Sequence, residues 1–240
     1  MEIKVLQNNK EIGLRIINDL NEILTKKTNP LICIAGGDTT IPIMKSIVNA
    51  SNQGELQLKD AKFISLDEWE GIGREIQGSC AQTLYDNLYI PLGISENNIC
   101  FFNGNNILEN EVTKINQFIK ENNGIDYIVL GVGMNGHVGF NEPNMKQQEG
   151  ALIVDLDETT TSVMKKYFNR DYNIKRGVTL SLNQILQAKQ IILVITGEHK
   201  QHIVKKTVEI VNDSSFPVSM LKKDDKNISL YLDQDAFGSN

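Results

Sequence analysis

Short apolar runs alternate with stretches of helical spacing along most of the chain. Residues 2–6 predict a strand. Ile12, Ile16, Ile17, Leu20, Ile23 and Leu24 then fall at the spacing of an amphipathic helix, which Thr28-Asn29-Pro30 breaks. Leu31 to Ile34 predicts a second strand, running into Gly36-Gly37-Asp38-Thr39-Thr40 and a helix from about Pro42 to Ala50. The unit recurs. Phe63 to Leu66 predicts a strand that ends at a polar connection, Asp67-Glu68-Trp69-Glu70-Gly71, with a helix around residues 79–89. Residues 110–121 predict a helix, Ile125 to Val132 a buried strand, and Ile191 to Ile195 another with a helix after it. Ile228 to Leu232 predicts a last strand, and residues 141–150, NEPNMKQQEG, read as loop.

Continuous apolar strands alternating with helices are the signature of a parallel sheet covered on both faces. The expectation is therefore an α/β fold: one domain over residues 1–240, with an open, mostly parallel, Rossmann-like sheet and helices on both faces. Ligands of such sheets bind beyond the carboxyl ends of the strands. Polar clusters follow four of the predicted strands, which points to one composite site.

Each cluster carries two readings. Gly36-Gly37-Asp38-Thr39 lies between strand and helix and suits an anion on a helix N-terminus, or a tight turn capped by Asp38 or Thr39. It is neither a Walker A loop nor GxGxxG. Asp67 and Glu68 suit a general base with an orienting group, or a solvated connection. Trp69 suits a pocket wall or the core. Gly131-Val132-Gly133-Met134-Asn135-Gly136-His137 continues to Gly139 and Glu142, placing an imidazole and a carboxylate just past a buried strand. Histidine titrates near neutrality and moves protons. A metal is the rival reading for His137, but no HxH, HExxH or cysteine partner accompanies it. Lys200 follows the strand ending at Ile195, and Lys165 and Lys166 fall on a predicted helix. Ser79 and Cys80 lack a GxSxG elbow or a paired base and are set aside as nucleophiles.

Composition removes several classes. With 40% apolar and 22% charged residues among 240, the chain has the profile of a soluble globular protein. A net charge of −6 without a basic stripe argues against nucleic acid, so an anionic small molecule would need a local cluster of Lys and backbone N–H groups. Cys33, Cys80 and Cys100 form no CxxC, which argues against a disulfide framework or zinc and fits a reducing cytoplasm. No apolar run approaches the ~20 residues of a spanning helix, so no membrane partner is expected.

FISLDEWEGIG, GVGMNGHVGFNEP and RGVTLSLNQILQAKQIILVITGEHK resemble the amino-sugar-phosphate deaminase/isomerase family, from about residue 30 to 235. LDEW, GSC and RGVTL look closest to its bacterial galactosamine-6-phosphate members. GGDT also resembles the GGxTP loop of 6-phosphogluconolactonases, which share the fold. Those usually continue as DGHTASLFP, whereas Phe140-Asn141-Glu142-Pro143 follows here and favours the deaminase branch. The resemblance implies a phosphosugar site and deamination of galactosamine or glucosamine 6-phosphate to a ketohexose 6-phosphate, with no cofactor and no metal. It makes Asp67 the carboxylate base, His137 the ring-opening group with Asn135 and Glu142 beside it, and Lys200 and Lys166 phosphate ligands. Gly36, Gly37, Asp38, Thr39, Glu68 and Gly133 would complete substrate binding. Asn135 replaces a common Asp and Thr40 a common Pro. The basic residues of the enteric allosteric site have no counterparts around Met145 to Val154, so activation by an N-acetylated sugar phosphate is not expected. A lactonase and a non-catalytic phosphosugar sensor are the alternatives. Oligomeric state, monomer or homo-oligomer, stays open.

Overall fold

The computed structural model describes residues 1–146, 148–164, 167–168, 172–222 and 227–238, the side chains of Val163 and Met164 excepted. The chain begins with β1 (Glu2–Leu6) and α1 (Asn9–Leu24), then β2 (Leu31–Ile34), α2 (Ile41–Asn52) and β3 (Lys62–Ile64). β4 (Asp67–Trp69) precedes α3 (Cys80–Leu84), which continues through a π-helical turn (Tyr85–Tyr89) into α4 (Ile90–Leu92). β5 (Ile99–Cys100), α5 (Leu108–Glu121), β6 (Tyr127–Gly131), β7 (Ala151–Asp155) and α6 (Glu158–Met164) follow. The chain then forms β8 (Arg176–Leu180), α7 (Leu182–Leu186), β9 (Gln190–Ile195), α8 (Gln201–Glu209), β10 (Ile228–Asp233) and α9 (Gln234–Phe237).

Among the described residues these strands make two sheets. The larger has seven strands in the order β1-β10-β9-β6-β2-β3-β5, and every pairing in it is parallel. Its side chains alternate between two cores. Tyr127 and Val129 of β6 point with Ile32 and Ile34 into the layer of α1 and α2. Ile128 and Leu130 point with Leu31 and Cys33 into the layer of α5, α7 and α8. Burial on both faces is why these strands read as unbroken apolar runs. α1 starts where Asn8 Oδ1 accepts the N–H groups of Lys10 and Glu11, at 3.0 and 3.2 Å, and Ile12, Ile16, Ile17 and Leu20 line its buried face.

The second sheet corrects the sequence reading. Asp67-Glu68-Trp69 is a strand rather than a connection, and it pairs antiparallel with β8, which pairs antiparallel with β7. Three residues with two carboxylates carry no apolar period, so the strand is invisible without its partner. Beneath this small sheet lies a third apolar cluster, with Trp69, Phe140, Leu152, Val154 and Phe168. No helix among the described residues is long and apolar enough to cross a membrane.

Candidate active site

Parallel pairing of β2, β6 and β9 puts their carboxyl ends on one edge of the sheet. The glycine loop leaves β2 there. Its turn is closed by Gly37 O accepting from Thr40 N at 3.0 Å, and by the buried Thr40 hydroxyl, which takes the Gly37 N–H at 3.3 Å and faces the Ala35 and Gly37 carbonyls. Thr40 thus pins the loop from inside with hydrogen bonds. It is also the N-cap residue of α2, with no side-chain capping bond, so neither Asp38 nor Thr39 caps that helix. Thr39 stands over Gly131 at the end of β6, where an added Cβ would lie 3.4 Å from the Thr39 side chain.

The loop after β6 carries the histidine. A Cβ on Gly133 would fall 2.3 Å from the imidazole, so only glycine lets His137 fold back over the strand end. Asn135 ties the group together. Its Oδ1 accepts the His137 N–H at 3.1 Å and its Nδ2 donates to Glu142 Oε2 at 3.2 Å. The same Glu142 oxygen lies 4.0 Å from His137 Nδ1, which has no hydrogen-bond partner among the described residues. Burial pushes Glu142 up, and the Thr160 and Asn135 side chains oppose it. His137 is pushed down to about 4 by burial and by Lys200, against the pull of Asp157. It is a neutral imidazole at pH 7. Lys200 follows β9 and donates from Nζ to Val132 O at 2.7 Å, which brings its charge to the end of β6.

Asp67 and Glu68 diverge because they sit on a strand, where successive side chains point to opposite faces. Glu68 is fully buried, and its carboxylate accepts the N–H groups of Trp69, Cys80 and Ala81 at 3.0, 3.2 and 2.8 Å. Burial pushes it up to about 8 against those three bonds. Its donors are all backbone, so it joins β4 to the start of α3. Asp67 is pushed up to about 7 by burial, and the Cys80 thiol opposes the shift. Cys80 is buried with its backbone against Gly36, so the carboxylate lies near the glycine loop. Ser79, set aside as a nucleophile, caps α3 by accepting the Gln82 N–H at 2.8 Å. Among the described residues no three His, Cys, Asp or Glu side chains are grouped as a metal site needs.

The structure thus gathers Gly36, Gly37, Asp38 and Thr39 at β2, Gly133, Asn135, His137 and Glu142 at β6, and Lys200 at β9, with Asp67 beside Cys80. Lys166 lies outside the described residues. Two neighbours carried no sequence motif. Asp157, before α6, acts on His137 electrostatically, and Tyr167 reaches Asp38.

Trp69 belongs to the core reading. It is 5% exposed and packs on Phe140 and Phe168, with ring centroids 4.5 and 6.1 Å away. Phe140 follows the histidine loop, and Trp69 is the chain's single tryptophan. Its emission should therefore change saturably when an anionic ligand fills the site, in a fluorescence titration; an unchanged spectrum at saturating ligand would show that filling the site does not reach the Phe140–Trp69 contact.

The model of the family "Glucosamine-6-phosphate isomerases/6-phosphogluconolactonase" matches residues 7–230. The chain belongs to this family. It is 30% identical to a glucosamine-6-phosphate deaminase of Clostridium botulinum, over 98% of this chain and 95% of that one. It is also 30% identical to the putative deaminase AgaI of Escherichia coli, over 91% and 87%. Among solved structures, a monomeric glucosamine-6-phosphate deaminase superposes with a TM-score of 0.92 at 25% identity, covering 99% of both chains. The 6-phosphogluconolactonase of Thermotoga maritima, at 15% identity and a TM-score of 0.77, shares the fold.

Proposed function

We propose that this protein, acting as one domain over residues 1–240, converts a 2-amino-2-deoxyhexose 6-phosphate and water into a ketohexose 6-phosphate and ammonia. The observation that carries the reading is the Asn135-linked pair of His137 and Glu142 facing Lys200, on the same sheet edge as the glycine loop. The deaminases similar to this chain agree with it.

The phosphate binds the N–H groups of the Gly36–Thr39 loop and the Thr39 hydroxyl at the N-terminus of α2, with Lys200 and Lys166. A dianion favours such charge-assisted donors. Neutral His137 takes the anomeric hydroxyl proton as the C1–O5 bond breaks, and the proton is delivered to O5. The Asp67 carboxylate then removes the C2 proton, which the free C1 aldehyde acidifies. The electron pair moves to the C1 carbonyl oxygen; return of the proton to C1 and passage of an amine proton to O1 leave a C1 hydroxyl and an imine at C2. Water adds to C2, the C–N bond breaks and ammonia departs. Asn135 holds the His137 backbone and the Glu142 carboxylate together, and Glu142, 4.0 Å from Nδ1, supplies the carboxylate charge that an amide at position 135 does not. Glu68 positions Asp67 by fixing β4 to α3.

The test is ammonia release from purified protein, with glucosamine 6-phosphate and galactosamine 6-phosphate assayed separately, with and without EDTA. Turnover of at least one, insensitive to EDTA, is the expected result, and the ratio of kcat/KM values identifies the preferred sugar. Acid release from 6-phosphogluconolactone without ammonia would replace the reading with lactone hydrolysis. Tight phosphosugar binding without turnover would make the protein a sensor.

A further inference from the structure

We propose that Tyr167 is a positioning residue for phosphate recognition: its hydroxyl donates to Asp38 Oδ2 at 3.3 Å and holds the outer side of the Gly36–Thr39 loop. The proposal rests on the phosphosugar reading above, and it adds a residue that no motif marks.

Two contacts fix Tyr167 in place. Its carbonyl lies over Gly78, whose φ is +98° and where an added Cβ would fall 2.2 Å from that oxygen. Any side chain at position 78 would push the 167–168 segment off the site. The next residue, Phe168, is buried, with its ring edge-on to Trp69 at 6.1 Å and to Tyr172 at 5.1 Å. The tyrosine is thus anchored to the apolar cluster beneath β4 on one side and reaches the glycine loop on the other.

The loop has a matching need. Thr40 closes its inner side, while a Cβ at Gly37 would meet nothing within 4 Å and Asp38 is exposed. A carboxylate beside a phosphate cradle repels the dianion unless donors engage it. Burial and Asp38 both push the Tyr167 phenol up, so it stays protonated and remains a donor. Donating to Asp38 offsets that negative charge and fixes the turn whose N–H groups face the ligand.

The experiment is a double-mutant cycle on Tyr167→Phe and Asp38→Ala, read by steady-state kinetics and by calorimetric binding of inorganic phosphate. Tyr167→Phe should raise KM for the hexosamine phosphate and Kd for phosphate together, by about tenfold, with kcat changed less than about twofold, and should change either constant less than about twofold in an Asp38→Ala background. The double variant should match Asp38→Ala, since the tyrosine acts through that carboxylate. Asp38→Asn, which keeps an acceptor oxygen, should retain most of the affinity. In Tyr167→Phe, a fall in kcat with phosphate affinity unchanged, wild-type values, or the full loss repeated in the Asp38→Ala background would each overturn the proposal. Should Tyr167→Phe fail to fold, the exposed Asp38→Ala and Asp38→Asn pair decides it. Phosphate binding also separates the two claims. No turnover of any hexosamine phosphate, with phosphate affinity still dependent on Tyr167, removes the deaminase reading alone. A wild-type protein that binds no phosphate removes this one.

Discussion

Replacing Asp67 with Asn should abolish ammonia release while making the protein more stable at alkaline pH. The catalytic loss follows from the role proposed above: a general base at the reacting carbon typically contributes ~10²–10⁴-fold, so kcat should fall by at least about that factor. The pH profile follows from the environment. Burial holds this carboxyl at about 7 instead of 3.8. The base is ionised only above that value, so kcat/KM of the wild type should climb through pH 7 and lose that limb in the variant. The stability effect has the opposite sense. The native state keeps this proton up to about pH 7, and the unfolded chain releases it near pH 4. The stability that proton contributes is complete below pH 4 and is lost as pH rises through 7. At pH 8 the wild type therefore holds a buried charge that an amide does not carry. A gain of up to about 4 kcal/mol for Asp67→Asn at pH 8, shrinking to nothing below pH 4, is expected in thermal unfolding. A variant with near-normal turnover would remove Asp67 from the mechanism. A variant less stable at pH 8 than the wild type would show that its charge is well solvated or paired.

The same residue shows where the sequence stops being legible. The large parallel sheet was readable because both of its faces are buried, so each strand is a run of apolar residues bounded by loops. Asp67, Glu68 and Trp69 sit on a strand of the smaller sheet that has no such run, and they read as a connection. Once they are placed on a strand, alternation decides their roles: one carboxylate faces the site and the other faces the backbone donors of α3. Adjacent acids in a loop would carry no such instruction. His137 and Glu142 were legible for the opposite reason, since glycines crowd around a bend that a side chain would block. Tyr167 and Asp157 were not legible at all. Each reaches the site from a segment distant in the chain, and nothing in its neighbours records the contact.

Replacing His137 with Gln should separate ring opening from binding. In the proposed mechanism the imidazole is needed only while the sugar is cyclic, so kcat on the hexosamine phosphate should fall by roughly 10²–10³-fold. An open-chain amino alditol phosphate has no ring to open, and its Kd should stay within about threefold of wild type. A parallel loss of both would make His137 a binding residue. Under the proposed mechanism the charges around it give the substrate a part in its own activation. Lys200 helps to hold the free imidazole near 4, and Asp157 and Glu142 supply the carboxylates that face it. A phosphate dianion seated on Lys200 offsets that lysine's repulsion, which moves His137 back toward its ordinary range and suits it to shuttle a proton between O1 and O5. NMR titration of the imidazole should therefore show its pKa rising when phosphate binds and in Lys200→Met without ligand. A His137 pKa that ignores both phosphate and Lys200 would leave ring opening without this electrostatic trigger.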